Sequence, residues 1–114
     1  MRRLCYACDL ADDAAAIAEY RRWHTPGGPP EGVPRRLRER GVMALEIWLT
    51  GNRLFMVMEL ADDAAVIASN GSAHPEDLEW ERRMDVFQRP LPWGEGAKWT
   101  AMERIFDLDA QPVG

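Results

Sequence analysis

A nine-residue segment occurs twice in this chain, fifty residues apart, with one substitution between the copies. The first copy runs from Leu10 to Ala18 and the second from Leu60 to Ala68. The chain's two histidines, His24 and His74, have the same spacing. Each copy follows an alternating apolar run typical of a strand and begins an Ala-rich run with high helix propensity. The repeat therefore predicts two related β-α halves.

Apolar periodicity extends this prediction along the rest of the chain, with a Pro- and Gly-rich loop at residues 25–34. The predicted elements are a strand at Arg3–Leu10, a helix from Asp12 to about His24, a short helix at Arg35–Arg40 stopped by Gly41, a hairpin over residues 43–60, a short helix from Asp62 that stops at residues 69–72, a helix that starts at His74 and runs through Phe87, and a last strand at Lys98–Leu108.

The order strand, helix, strand, strand, helix, strand is that of a ferredoxin-like domain. We therefore expect an α+β fold with a four-stranded antiparallel sheet and helices on one face. A chain of 114 residues suits one domain. We assign that domain to residues 1–109 and a frayed C-terminal tail to residues 110–114.

Both faces of the predicted hairpin carry apolar side chains. Met43, Leu45 and Ile47 alternate with Trp48 on the second strand, and Met56 and Met58 alternate with Phe55 and Val57 on the third. Helices cover one face of such a sheet, so an apolar opposite face predicts a partner. The simplest partner is a second copy of the chain, packed sheet against sheet with twofold symmetry.

Charge and composition exclude several classes of function. The net charge is −5 and the basic residues lie among acidic ones, so a nucleic-acid partner is not expected. No apolar run is long enough to cross a membrane, and the N-terminus does not resemble a secretory signal, which favours a cytoplasmic location. Cys5 and Cys8 have neither the further ligands of a zinc site nor the setting of a redox pair, so we expect reduced packing residues and no metal or cofactor.

Tyr20 and His24 are the strongest candidates for chemistry. Four residues apart, they lie on one face of the predicted helix, beside the Pro- and Gly-rich loop. Histidine exchanges protons near neutral pH and tyrosine offers a hydroxyl on a rigid ring. The alternative is a histidine that ends the helix and a tyrosine that fills the core. His74, preceded by Asn70 in place of a tyrosine, is expected to cap a helix at the surface.

Five tryptophans are many for a chain of this length. Most are expected to pack in the core. The apolar face of an indole ring also suits the C–H side of a sugar, so one or two of the tryptophans could line a sugar site.

Several of these segments together resemble the L-rhamnose mutarotase family, and in particular its branch associated with L-fucose use. The resemblance covers Arg3 to Leu108. The segments that carry it are Tyr20–His24, Leu45–Trp48, Thr50–Met56, the predicted helix around Trp80, and Lys98–Phe106.

The resemblance implies a dimeric ferredoxin-like enzyme that needs no cofactor and interconverts the α and β anomers of a 6-deoxy-L-hexose. It implies that His24 is the proton donor and that Tyr20 and Trp80 contact the sugar. Three departures imply a differently lined pocket. Leu45 and Glu79 stand where the rhamnose enzymes carry a tyrosine and a tryptophan, and the loop after His24 is longer and has Gly28 near the place of a tryptophan.

The predicted residues suit this reaction. Opening a hemiacetal moves one proton off the anomeric hydroxyl and one onto the ring oxygen, which general acid–base catalysis can achieve without a metal or nucleotide. His24 could protonate the ring oxygen, while Tyr20 or a nearby carboxylate orients or deprotonates the anomeric hydroxyl. The same fold would also suit a cofactor-less monooxygenase or a non-catalytic sugar-binding module.

Overall fold

The computed structural model describes residues 2–62 and 74–114. Its strands and helices alternate in much the predicted order. They are β1 (Arg2–Leu10), α1 (Ala14–Trp23), α2 (Gly32–Glu39), β2 (Val42–Thr50), β3 (Arg53–Leu60), α3 (Pro75–Phe87), β4 (Gln88–Arg89), β5 (Thr100–Ala101) and a 3-10 turn at Leu108–Ala110.

Strand β1 lies in the middle of an antiparallel sheet. It pairs with β3, from Arg2 opposite Leu60 to Asp9 opposite Arg53, and β3 pairs with β2 across the hairpin. The short strands β4 and β5 pair with the other edge of β1, which gives the order β2-β3-β1-β4. This is the strand order of a ferredoxin-like sheet, so the predicted fold class is confirmed.

The predicted last strand at Lys98–Leu108 is wrong in its length. Only Thr100–Ala101 pairs with β1, followed by one hydrogen bond from the Met102 amide to the Cys5 carbonyl at 2.8 Å. Asp9 and Leu10, at the end of that edge, pair with β4, directly after α3. The alternation that predicted a strand shows which side chains favour burial. Ile105 and Phe106 are nevertheless 90% and 63% exposed, so the described part of this chain leaves most of their surface uncovered.

The first repeat copy builds the end of β1 and the start of α1, as predicted. Asp13 caps α1, its carboxylate accepting a hydrogen bond from the Ala16 amide at 2.8 Å. The second copy from Asp63 onward, and the short helix predicted between Asp62 and residues 69–72, lie outside the described residues. Of the two predicted β-α halves, the described residues of the repeat therefore include the strands and α1.

Helix α2 begins at Gly32, three residues before its predicted start, and ends where Gly41 takes a positive φ of 97°. Its Arg36 guanidinium bonds Asp77 at 2.7 and 2.9 Å and Glu76 at 2.6 Å, at the start of α3. Gly32 lies so close to Glu76 and Arg36 that a Cβ there would overlap both side chains. The ion pair thus fixes α2 against the helix that carries Trp80.

The core lies between the sheet and the helices. One cluster of buried side chains joins β1 and β3 to α1 and α3, and a second joins β2 and β3 near α2. The first contains Leu10, Tyr20, Leu54, Trp80, Met84 and Phe87, and the second contains Val42, Met58 and Leu60. Within the described segments, no helix has the length and apolar character needed to cross a bilayer.

The two faces of the hairpin match the prediction except at Met43. An irregularity in pairing between Val42 and Ala44 turns the Met43 side chain outward, where it is 61% exposed, so it does not share a face with Leu45 and Ile47. Trp48, on the outer face as predicted, is also 61% exposed.

Cys8 is fully buried, and burial raises the pKa of its thiol to about 11. Its Sγ donates weakly to the backbone carbonyls of Asp9 and Arg89. Neither Cys8 nor Cys5 is in a disulfide. A buried, protonated thiol of this kind is a packing residue, as the sequence predicts.

Candidate active site

Three aromatic rings from α1 and α3 lie around the imidazole of His24, the residue that caps the end of α1. The Tyr20 ring lies beside the imidazole, with 4.2 Å between ring centroids, and the Trp80 ring approaches it edge-on at 5.5 Å. Trp23 in turn packs edge-to-face on Trp80 at 6.1 Å. We call Tyr20, Trp23, His24 and Trp80 the His24 cluster. The three candidate residues predicted from the sequence are therefore neighbours in space.

The backbone of α1 fixes which nitrogen of His24 is available. Nδ1 lies 2.7 Å from the Tyr20 carbonyl oxygen. A carbonyl oxygen only accepts hydrogen bonds, so Nδ1 carries a hydrogen and Nε2 is the nitrogen left for proton exchange. His24 is half-buried, and this burial lowers its pKa from 6.5 although the bond to Tyr20 opposes the shift. At neutral pH the imidazole is therefore uncharged, and Nε2 presents a lone pair.

Tyr20 is almost wholly buried beneath this imidazole, at 3% exposure. Its hydroxyl oxygen accepts a hydrogen bond from the Gln88 Nε2 at 3.1 Å. Burial raises the pKa of the phenol well above its ordinary value, so Tyr20 stays protonated. This favours Tyr20 as a hydrogen-bond donor over Tyr20 as a base.

Trp80 is also buried, at 9% exposure. Its neighbour Trp23 also contacts a charged side chain. The Arg83 guanidinium lies 5.1 Å above the Trp23 ring. Glu79 holds that arginine at 3.6 Å and Arg82 at 2.7 Å. Glu79 is thus an exposed ion-pair partner and adds no aromatic surface. The indole rings of Trp23 and Trp80 supply the apolar surface beside His24.

Leu45 lies in the second core cluster, partly buried against Val42, Met58 and Leu60. Ile47, two residues further along the same face of β2, packs instead on the cluster that contains Tyr20 and Trp80. The position that carries a tyrosine in the rhamnose enzymes is therefore a packing position in this structure.

The loop that follows His24 turns back on the end of α1. Gly28 approaches the Trp23 carbonyl so closely that a Cβ there would overlap this backbone, and a second clash would follow with the Thr25 carbonyl at 2.9 Å. Glycine is required because neither backbone atom can rotate away. An open depression of about 330 Å³ lies beside this loop, lined by Glu19, Arg22, Trp23 and Gly28.

His74 has the capping role that the sequence predicts. Its Nδ1 accepts a hydrogen bond from the Glu76 amide at 3.1 Å, and Pro75 follows at the first helical position of α3. The side chain is exposed. The two histidines therefore share an offset in the sequence, but their surroundings in the structure differ.

Sequence reasoning missed Gln88. Its side chain is 7% exposed and bonds the hydroxyl of Tyr20, a member of the His24 cluster. The signal in the sequence for a buried polar residue is that Gln88 directly follows Phe87, at the end of an apolar pattern that includes Met84. Its bond to Tyr20, from the residue that ends α3 to the middle of α1, depends on tertiary packing.

The fold is that of a small ferredoxin-like protein. In its His24 cluster, the histidine Nδ1 is bonded to the backbone and Nε2 is left available for proton exchange. A family model described as L-rhamnose mutarotase matches residues 3–108. The chain belongs to this family, which confirms the resemblance inferred from the sequence. Mutarotases are carbohydrate isomerases, so the predicted class of enzyme is confirmed as well.

Individual relatives agree with this assignment. The chain is 42% identical to an L-fucose mutarotase of Xanthomonas campestris pv. campestris over 111 residues, which are 95% of this chain and 89% of the relative. It is 29% identical to a UPF0734 protein of Dictyostelium discoideum over 110 residues, 90% of this chain and 86% of that protein. The crystal structure of an L-rhamnose mutarotase from Formosa agariphila superposes with a TM-score of 0.64 at 17% identity, covering 95% and 99% of the two chains.

Proposed function

We propose that this protein interconverts the α and β anomers of a 6-deoxy-L-hexose, with L-fucose as the preferred sugar. The observation that carries the proposal is the His24 imidazole, whose Nδ1 is bonded to the Tyr20 carbonyl so that Nε2 is left for the substrate. The L-fucose mutarotase relative, and the placement of Glu79 in surface ion pairs where rhamnose enzymes carry a tryptophan, favour L-fucose over L-rhamnose.

One histidine can balance the protons of this reaction. The neutral Nε2 takes the proton of the anomeric hydroxyl, whose electron pair forms the aldehyde carbonyl as the bond from the anomeric carbon to the ring oxygen breaks. The resulting imidazolium donates that proton to the ring oxygen. Rotation about the bond between C1 and C2 and closure by the reverse steps give the other anomer. His24 thus acts first as base and then as the proton donor that the family resemblance implies.

The other members of the cluster have supporting roles in this proposal. Tyr20, which remains protonated, orients a sugar oxygen or the imidazole itself. Trp80 offers an apolar ring edge-on to His24, suited to the C–H side of the sugar. None of these steps needs a metal or an organic cofactor.

The anomer exchange rate tests the proposal directly. Saturation-transfer NMR on L-fucose and L-rhamnose measures exchange with and without the protein. Exchange faster than in buffer, and faster for L-fucose, supports the proposal. A sugar that binds but exchanges no faster than in buffer contradicts it and supports a binding module instead.

The pH dependence of kcat/KM is expected to follow the free His24. Because burial lowers the pKa of the imidazole, the neutral form persists below the ordinary value of 6.5. Activity should therefore hold as the pH falls past 6.5 and decline only at lower pH, as Nε2 becomes protonated. A profile of kcat/KM from pH 4.5 to 8 measures this. An acid limb centred above 6.5 would contradict the uncharged, half-buried imidazole.

We also propose that the protein is a cytoplasmic homodimer. The C-terminal segment from Met102 to Leu108 has its apolar side chains exposed. The radius of gyration is 15.3 Å, against about 13 Å for a compact domain of this length. The outer face of the sheet exposes Trp48. A second copy would cover both surfaces at once, and the two unpaired cysteines suit a reducing compartment.

The dimer is testable at one exposed position. Ile105→Asp places a charge on the C-terminal segment and is expected to convert a dimer to a monomer in light scattering coupled to size-exclusion chromatography. Val113→Asp, at a fully exposed position eight residues later, is the matched control and should leave the mass unchanged. A wild-type mass of one chain at micromolar concentration would refute the dimer.

A further inference from the structure

Tyr20 and Gln88 form a polar pair enclosed by apolar side chains. They are 3% and 7% exposed, and Gln88 Nε2 donates to the Tyr20 hydroxyl oxygen at 3.1 Å. Tyr20 belongs to the buried cluster of Leu10, Phe87 and Trp80, and the Phe87 ring lies edge-on to the phenol at 5.8 Å. Polar groups in such a setting are normally fully hydrogen-bonded.

This pair is only half satisfied. The Gln88 Oε1 is buried and accepts no hydrogen bond from any of residues 2–62 and 74–114. The Tyr20 hydroxyl accepts the Gln88 bond, and a phenol can also donate one hydrogen bond of its own. An unpartnered acceptor therefore lies beside a hydroxyl that can act as a donor.

An alcohol hydroxyl satisfies both groups together, because it donates one hydrogen bond and accepts others. The pair also lies next to the reacting centre, since the phenol ring of Tyr20 is in contact with the His24 imidazole at 4.2 Å. A sugar bound against the imidazole carries several hydroxyls at its other ring carbons. The acceptor of Gln88 and the hydroxyl of Tyr20 together suit one of these sugar hydroxyls.

We propose that Gln88 and Tyr20 together bind one non-anomeric hydroxyl of the sugar, which donates to Gln88 Oε1 and accepts from the Tyr20 hydroxyl. Gln88 is then a specificity-determining residue of the site. The inference rests on the proposed mutarotase function. It extends that function because L-fucose and L-rhamnose differ in the configuration of ring hydroxyls, and a pair that reads one hydroxyl discriminates against a sugar lacking it.

The test compares the wild type with Gln88→Met on L-fucose and its 2-, 3- and 4-deoxy analogues. Binding is measured by ligand-observed NMR titration and kcat/KM by saturation transfer. We expect the wild type to prefer L-fucose over one analogue by about tenfold or more, the value of roughly one to two hydrogen bonds. Gln88→Met should lose about this factor on L-fucose and show no discrimination against that same analogue.

A stability measurement separates this role from a structural one. Gln88→Met removes an unpaired buried acceptor at similar side-chain volume, but it also removes the hydrogen bond to the Tyr20 hydroxyl. These two effects have opposite signs, so the unfolding midpoint without sugar should change little. Met84→Leu, also buried on α3 but without a polar group, is the matched control and should keep the discrimination. If Gln88→Met fails to fold, Gln88→Asn, which withdraws the amide by one methylene, is expected to show the same loss of discrimination.

Each outcome decides between the two proposals. Unchanged discrimination in Gln88→Met overturns the role of Gln88 and leaves the mutarotase function standing. Wild-type protein that binds the sugars with hydroxyl discrimination, lost in Gln88→Met, but does not accelerate anomer exchange upholds the pair and refutes the mutarotase. Equal binding of all the deoxy analogues by the wild type shows that the pair holds water only and overturns the inference.

Discussion

His24→Ala is expected to lower the catalysed rate of anomer exchange by about 100- to 10,000-fold, the usual contribution of a well-placed general acid–base. The substitution removes Nε2, the ring nitrogen that the bond from Nδ1 to the backbone leaves available for proton exchange. His24 is half-buried at the end of α1, so the free energy of unfolding should fall by only about 1 kcal/mol. Saturation-transfer NMR on L-fucose measures the rate, and urea denaturation measures the stability.

His74→Ala is the matched control for this prediction. His74 has the same offset in the repeat, but its ring accepts a hydrogen bond from the Glu76 amide at the start of α3 and is exposed. We expect it to lose about 1 kcal/mol of stability as a missing N-cap and to retain the wild-type exchange rate. Full activity in His24→Ala, or equal losses in the two variants, would remove His24 from the mechanism.

Trp80→Ala is expected to have the largest effect on stability, about 3–5 kcal/mol, because it opens a cavity among buried side chains. The indole is 9% exposed and contacts both Trp23 and His24. That loss is a large part of the 5–15 kcal/mol typical of a domain. The same change removes the apolar ring beside His24, so sugar binding should weaken as well. Denaturant unfolding and sugar titration measure the two effects.

Two further substitutions separate packing from sugar contact at Trp80. Trp80→Phe keeps an aromatic ring and should recover much of the stability while sugar affinity remains reduced. Trp93→Ala removes an indole that is 63% exposed and lies under the Arg53 guanidinium at 4.8 Å, and it should change neither property appreciably. A Trp80→Ala protein as stable as the Trp93→Ala protein would contradict the buried position of Trp80.

Local sequence patterns were sufficient for most of the fold. Strand β1, helix α1 with its Asp13 cap, the hairpin, and helix α3 with its His74 cap lie within a residue or two of their predicted limits. Each depends on periodicity, capping or turn chemistry, which act over a few residues. The last strand is shorter than predicted at both ends. β4 pairs with Asp9 and Leu10 of β1, which leaves no place on that edge for the start of the predicted strand, and residues 103–108 do not pair with β1 although their apolar pattern is that of a strand.

In the candidate site, too, local spacing identified some residues, whereas contacts between distant segments could not be predicted. Tyr20 and His24 were found because residues four apart share a helix face. The contact between Tyr20 and Gln88 could not be predicted, because the two residues lie 68 positions apart in the sequence. Trp23 was not distinguished from the other tryptophans, because its position beside Trp80 under Arg83 depends on how α1 and α3 approach each other.

By itself, the sequence determined the order of the described elements and the helix face that carries Tyr20 and His24, since these follow from local periodicity. The tertiary structure decided what surrounds each of the two histidines. It placed Trp80 and Gln88 of α3 and β4 against α1, turned Nε2 of His24 into the available nitrogen, and left His74 as a surface cap. Burial and contact between distant segments set these properties, and no local pattern records them.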